Sequence, residues 1–443
     1  MAFTGPVLTK RIDKDPKQRG VIWHDAYSAG GGYLGLRTAL ELGAEGIVKV
    51  VSDSGLRGRG GAGASAGLKW GFMPKEKKGP HYLVVNADES EPGTFKDRFL
   101  IDHDPHQLLE GAAIAAVAMR CDAIYIYVRG EYHREAKILS QAIGEAYAAG
   151  IFGTASVTRA ECYLHRGAGA YVVGEETAML ESLEGKRGWP RNRPPFPAVY
   201  GAFGKPTTVQ NVETLCCIPH ILERGAAWFK SMGTPSSAGP KLYGISGHVN
   251  RPGVYEQELG ITVRFAIEEL AGGARGKIKA VIPGGISMGV LTADELDVRL
   301  DFDDPKRAGV LGLGTAGLIV LNETADMVAV LANIARFFAR ESCGQCTPCR
   351  EGSGWVSAIL NRICAGRGRL RDLDMLLELE KTMGSMPGTT ICGLADALAW
   401  PVRTFINKYY DEFAARCVEE SRTVSLPIHR GGARVAPMGS NTR

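Results

Sequence analysis

The stretch "HYLVVNADESEPGTFKDR", residues 81–98, decides the fold. Tyr82 to Val85 is a short apolar, β-branched run that reads as a buried strand. It ends in Asn86, Asp88, Glu89 and Glu91, so four polar groups gather at its carboxyl end. Two similar runs follow, "AIYIYVRG" (123–130) and "AECYLHRG" (160–167). Between the three runs lie "LLEGAAIAAVAM" and "YHREAKILSQAIGEAYAAG", both with helical patterning. Strands alternating with helices of this length predict a parallel α/β sheet within residues 1–240. Ligands of such sheets bind beyond the carboxyl ends of the strands, which makes the four polar residues candidate binding groups. Carboxylates repel phosphate, so their expected partners are ribose or ribityl hydroxyls and a ring N–H. A solvated acidic turn is the plain alternative.

Upstream, "GLRGRGGAGASAGLKW" (55–70) contains G-x-G-x-x-G at Gly58, Gly60 and Gly63. A dinucleotide fingerprint follows a strand directly, whereas "RTALELGAEGIVKVVSDSG" before it reads as helix, so a standard Rossmann motif is not expected. The chemistry of the loop survives that objection. Its glycines, Gly61 among them, clear side chains from amides that approach a phosphate, and Arg57, Arg59 and Lys69 offer positive charge. A flexible surface loop is the alternative. Downstream, residues 167–214 bring a glycine-rich turn, paired Glu175 and Glu176, a proline-stiffened loop around Phe196, and the amides Gln210 and Asn211. They read as a second wall of the same cleft.

After residue 240 the texture changes. "KLYGISGHV", "GVYEQEL", "KIKAVIPGG" and "AGLIVLN" are short strands around one helical stretch, which predicts a small α+β module over 241–323. From 324 to 420 the period is helical, with Pro401 expected to kink or restart the last helix. Residues 421–443 carry four arginines and no acid, which accounts for the net charge of +4, and read as a flexible basic tail. Charge this balanced over 443 residues gives no reason to expect nucleic acid as a partner. No apolar run reaches the roughly 20 residues of a membrane span, and the first residues lack a signal-peptide core. The expectation is a soluble interior location, where cysteines are thiols and metal ligands rather than disulfides.

"ESCGQCTPCREG" (341–352) places Cys343, Cys346 and Cys349 at three-residue intervals. One compact loop then supplies three thiolates, which suits three corners of a 4Fe–4S cubane. A structural zinc site would show a second knuckle, and the chain has none. Cys364, Cys392 and Cys417 are the candidates for the fourth corner. Cys364 sits within a helical stretch and Cys417 near its end, whereas Cys392 lies in a loop opening a helix, where amides and helix polarity favour an anionic cluster. Cys392 is the expected ligand. Cys121, Cys162, Cys216 and Cys217 read as small buried hydrophobes.

Together, "GRGGAG", "NADESEPGTFKDR", "GEETAMLESLEGKR", "PPFPA", "KPTTVQNVETL" and "ESCGQCTPCREG" stand in one order. In that order they resemble the NADH-binding, NADH-oxidising flavoprotein subunit of respiratory complex I. Relatives of that family occur in NAD-linked hydrogenases and formate dehydrogenases. The resemblance implies FMN and NADH sharing a cleft in an atypical Rossmann-like domain, then a β-grasp (ubiquitin-like) domain, then a helical bundle with one 4Fe–4S cluster. It implies NADH phosphates along Gly58, Arg59, Gly60, Gly61, Gly63 and Gly67, with Lys69 nearby. FMN would lie against Asn86, Asp88, Glu89, Tyr171, Gly174, Glu175, Gln210, Asn211 and Thr214. Phe72 and Phe196 would offer rings, while Glu91 and Glu176 would stand near the nicotinamide as the catalytic candidates, Glu176 acting electrostatically. The implied partners are a thioredoxin-like 2Fe–2S subunit and a larger, ferredoxin-bearing iron–sulfur subunit of complex I. The implied location is the cytoplasmic side of a bacterial inner membrane, or the matrix side in an organelle. The alternative is the diaphorase subunit of a soluble hydrogenase or formate dehydrogenase.

Two departures from the family pattern stand out. Gln210 replaces an asparagine, and Ala64 stands where the family has a phenylalanine able to stack on adenine. An aromatic contact is worth about 0.5–1.5 kcal/mol beyond its area. Ala64→Phe is therefore expected to lower the NADH Michaelis constant about 2- to 12-fold, measured by steady-state kinetics with an artificial acceptor.

Overall fold

A computed structural model describes residues 5–384 and 388–418. The basic tail expected at 421–443 lies outside the described residues. Four strands, β1 (Tyr82–Ala87), β2 (Ala123–Val128), β3 (Glu161–Arg166) and β4 (Thr207–Asn211), form an all-parallel sheet in the order β3-β2-β1-β4. The chain steps outward from β1 to β3 and then returns to lay β4 on the other side of β1. The direction of winding therefore reverses between β1 and β4, which is where open α/β sheets form their ligand crevice. Pairing places Asn86 of β1 directly opposite Asn211 of β4.

Alternate residues of the sheet serve two cores. Leu83, Val85, Ile124 and Ile126 face one core, shared with helices α1 (Leu34–Asp53), α2 (Pro105–Met119), α3 (His133–Ala148) and α4 (Val212–Arg224). Helix α2 is apolar almost all round because it lies between the sheet and the outer helices α1 and α4, and every residue but Val117 is buried. The helices meet backbone to backbone. A Cβ added at Gly111 of α2 would stand 2.1 Å from the Leu215 carbonyl oxygen of α4.

A second sheet follows, of strands β5 (Pro240–Gly247), β6 (Gly253–Glu258), β7 (Ile278–Ile282), β8 (Leu291–Thr292) and β9 (Gly317–Asn322). Its order is β8-β7-β9-β5-β6, with only β9 and β5 parallel. The remaining unit packs helices α5 (Met327–Glu341), α6 (Thr347–Cys364), α7 (Leu370–Met383) and α8 (Leu394–Lys408). Val84, Tyr127 and Val209, on the other face of the first sheet, join these helices in a common core.

Of the two outcomes expected at Pro401, a kink or a restart, the restart does not occur. Helix α8 runs without a break through Pro401 to Lys408, and the interruption falls at Tyr409. A proline inside a helix costs about 3 kcal/mol, but ten residues of α8 are buried, Pro401 among them, and that burial outweighs the lost hydrogen bond.

The glycines of two helices separate packing from propensity. Gly111→Ala is expected to destabilise the chain by at least about 1–3 kcal/mol through overpacking. Gly144→Ala, where an added Cβ meets nothing within 4 Å, is expected to stabilise by about 0.5–1 kcal/mol. Shifts of the denaturant midpoint in opposite directions are the readout.

Candidate cofactor site

Two adjoining cavities, of about 520 and 730 Å³, open at the β1/β4 reversal. Gly60, Asn86, Gly174, Glu175, Asn211 and Cys392 line both. The first is also walled by Asp88, Glu89, Glu91 and Tyr171, and by Ser287 and the 311–315 loop of the second-sheet unit. The second takes Gly58, Gly63, Lys69, Glu176, Gln210 and Thr214.

Local sequence explains the placements. Asn211 caps α4 by accepting from Thr214 N–H, and its Nδ2 donates to Asp97 at 2.7 Å. Thr214 Oγ1 accepts from the Arg59 N–H at 2.8 Å, which ties the glycine loop to the start of α4. A Cβ at Gly60 would crowd Asn211 at 3.1 Å, so the loop reaches the sheet edge only without a side chain there. Asn86 Nδ2 donates to the Gly174 carbonyl at 3.0 Å. Glu175 caps the helix Glu176–Leu183 and pairs with Arg193.

The carboxylates differ in environment. Burial pushes Asp88 up to about 7, and its Oδ1 has no partner among the described residues. Burial also lifts Glu89 to about 7, while its oxygens accept the Asp97 and Arg98 N–H groups at the start of the helix Lys96–His103. Glu91 is raised by burial and held between the Tyr171 hydroxyl at 2.7 Å and the Ser287 N–H at 2.8 Å. Glu176 pairs with Lys69 at 2.6 Å and with Arg193.

Four of the expected site residues stand elsewhere. Arg59 is fully buried and turned inward, donating to the Ala238 carbonyl instead of facing a cavity. Gly67 lies where a Cβ would strike Ser52 at 2.3 Å, so it serves helix packing. Phe72 and Phe196 line neither cavity and are 69% and 58% exposed. Sequence reading also missed several wall residues. Lys96 and Asp97 lie inside a recognised motif but resemble a solvated helix start, and Ser287, Phe302 and the 311–315 loop arrive from a separate unit. Arg193 sits in the proline-stiffened stretch singled out for Phe196.

The cysteines gather beside the cavities. Cys346 is the N-cap of α6, and the Ile391 N–H points at its sulfur at 3.3 Å. Ser342 Oγ lies 3.4 Å from Cys349 Sγ, and the Leu394 N–H donates to Cys392. Cys343 and Cys349 act electrostatically on Cys392, whose thiol burial pushes up to about 12. Among the described residues no three His, Cys, Asp or Glu side chains converge on a single ion. A four-iron cubane takes one thiolate per iron, so its sulfurs stand farther apart than those around one zinc. The donors aimed at sulfur and the two helix starts fit such an anionic cluster. Cys417 donates instead to the Phe413 carbonyl, and Cys364 ends α6, the helix that Cys346 begins. Cys121, Cys162, Cys216 and Cys217 are buried as expected. The flavin site passes a similar test. Gln210 Nε2 is buried without a partner among the described residues, leaving a donor for a flavin acceptor.

Comparison with known proteins accounts for these features together. Residues 51–220 match the Nuo51 FMN-binding domain, 242–291 an SLBB domain, and 329–416 the NADH-ubiquinone oxidoreductase-F iron-sulfur binding region. An F-type NADH-quinone oxidoreductase subunit of Rhizobium meliloti (strain 1021) is 50% identical over 430 residues, covering 96% of this chain and 99% of that protein. The chain belongs to the NADH dehydrogenase flavoprotein family. Mitochondrial NADH dehydrogenase (ubiquinone) flavoprotein 1 of Dictyostelium discoideum, another member, is 50% identical over 406 residues, 89% of this chain and 84% of that protein. A solved NAD+-reducing NiFe-hydrogenase superposes with a TM-score of 0.79 at 35% identity, over 92% of this chain and 70% of that one. For a member of this flavoprotein family, FMN and a 4Fe–4S cluster are the cofactors the domains are built to hold.

Asp88 carries a pH signature. An unfolded aspartate titrates near 4, so a carboxyl at about 7 in the fold gives stability that is full below that unfolded value and lost as pH rises to about 7. Asp88→Asn is therefore expected to raise the melting temperature of the flavin-free chain more at pH 8 than at pH 4. Paired thermal melts at the two pH values check this.

Proposed function

We propose that this chain is the NADH-oxidising flavoprotein subunit of a respiratory NADH:quinone oxidoreductase. It takes hydride from NADH onto FMN and passes electrons singly to a 4Fe–4S cluster and on toward quinone. The observation that carries this reading is Cys392, which lines both cavities and belongs to the cysteine set. A two-electron site and a one-electron site thus share a wall. Bound FMN supplies the exchange between hydride and single electrons that nicotinamide cannot make with a cluster.

The residues orient and enclose. Asn86, Asp88, Gly174, Glu175, Gln210, Asn211 and Thr214 hold the flavin, and Glu91 is fixed by Tyr171 and Ser287 so that its carboxylate keeps one position. Gly60, Gly61 and Gly63 leave amides accessible to the dinucleotide phosphates, while the Gly58 N–H closes the loop on the Ala64 carbonyl at 2.7 Å. Lys69 and Arg193 hold Glu175 and Glu176 in an ion-pair group on the wall of the second cavity. Cys343, Cys346, Cys349 and Cys392 ligate the cluster.

In the finer architecture, residues 1–240 form the atypical Rossmann-like FMN/NADH domain, 241–323 the β-grasp-like domain and 324–420 the cluster-bearing bundle. Relatives named as oxidoreductase subunits support a multi-subunit assembly. Its neighbours would be the thioredoxin-like 2Fe–2S subunit and the larger iron–sulfur subunit, in a peripheral arm on the cytoplasmic or matrix side. No described helix is long and apolar enough to cross a membrane. The hydrogenase likeness favours a diaphorase as the second reading, at 35% identity against 50%.

An anaerobic visible spectrum of the reconstituted chain tests the function. NADH is expected to bleach flavin and cluster bands together, with about four irons per FMN. Cys392→Ser is expected to lower the iron count while flavin stays bound, and Cys364→Ser to change neither. Loaded cofactors that ignore NADH would overturn the assignment.

A further inference from the structure

Hydrogen-bond donors meet the sulfurs of Cys346, Cys349 and Cys392, and they differ in kind. The Ile391 N–H faces Cys346 Sγ at 3.3 Å, and the Leu394 N–H donates to Cys392. Both are backbone groups, set by the path of the chain and indifferent to side-chain identity. At Cys349 the partner is a side chain, the Ser342 hydroxyl at 3.4 Å. Either atom of that pair can donate while the cysteine is a free thiol. A cysteine that ligates iron is a thiolate with no proton to give, so in the loaded chain the hydroxyl is the donor.

Ser342 is held to this task by its place in the chain. It follows Glu341, the last residue of α5, and its own N–H bonds to the Phe338 carbonyl at 3.0 Å. Phe338 is fully buried, so the backbone that carries the hydroxyl is anchored in the core. Cys349 is the buried member of the cysteine set, while Cys343, Cys346 and Cys392 are half-buried. It lines none of the cavities beside it. Water therefore does not stand in for the hydroxyl, and a hydrogen bond to a charged sulfur gains strength away from water.

We propose that Ser342 is a positioning residue for the electron step, its hydroxyl holding the Cys349 sulfur and raising the reduction potential of the cluster. The inference rests on the cluster-ligand assignment above and adds the side chain that tunes it. One electron arrives from the NADH-reduced flavin, and the hydroxyl keeps its hydrogen. The added electron increases the negative charge on the sulfurs. A donor aimed at one of them then favours the reduced state over the oxidised one.

The test is a redox titration of the full chain with FMN and cluster loaded, followed by electron paramagnetic resonance, with iron counted on the same samples. Ser342→Ala is expected to keep about four irons and to move the reduction equilibrium about tenfold toward the oxidised cluster, roughly 59 mV for one electron. Ser342→Thr, which retains a hydroxyl, is expected to keep the wild-type potential. An unshifted potential in Ser342→Ala would overturn the proposal, as would a shift in Ser342→Thr as large as that in Ser342→Ala. Loss of iron from Ser342→Ala would show a merely structural role and overturn it as well. A wild-type chain that assembles no four-iron cluster would overturn the cluster assignment itself.

Discussion

The parallel pairing of β1 with β4 is the constraint on which the site depends. It sets Asn86 against Asn211, and everything that approaches the cavities is hung from one of those strand ends. From β1 the chain turns directly into Asp88, Glu89 and Glu91. From β4 it turns directly into α4, whose first turn ties down the glycine loop through Thr214. A one-residue slip between the strands would point every one of these groups to the opposite face of the sheet, so the hydrophobic pattern of Leu83 and Val85 protects the site as much as the core.

Electrostatics sets the character of the two cavities. The first holds Asp88 and Glu89, which burial lifts to about 7, so that near neutral pH a ligand meets a hydrogen-bond donor as readily as an acceptor. The second holds Glu175 and Glu176 already paired with Lys69 and Arg193, where a ligand meets a nearly neutral ion group. Tyr171 belongs with the first, its hydroxyl on Glu91 and its ring edge-on to Phe337 and Phe338 of α5. Tyr171 thus joins the first cavity to α5, the helix that leads into the cysteine loop.

Much of this was legible in the sequence because it is local. Strand and helix patterning followed residue by residue, and the cysteine loop showed its spacing openly. The polar run after β1 lies within a few residues of a strand end, where backbone geometry fixes its direction. What was not legible depends on distant partners. Arg59 reads as a phosphate ligand until Ala238 takes its guanidinium, and Gly67 reads as loop chemistry until Ser52 comes against it. Lys96 looks like any charged helix start until Glu213, more than a hundred residues later, buries it. Pro401 reads as a break because the burial that overrides it belongs to the whole bundle.

Glu91 bonds to Ser287, Thr94 to Thr315, and Cys392 closes the wall that begins at Gly58. The cavities are therefore assembled from segments spread across more than three hundred residues, and even the first strap of chain is pinned late, by three backbone N–H groups from Val7 to Thr9 on Glu256. A ribosome that has delivered only the parallel sheet has made a cleft with one side. A chain truncated before α8 lacks Leu394 and Ala397 of the first cavity's wall, so the site exists only when nearly the whole chain does.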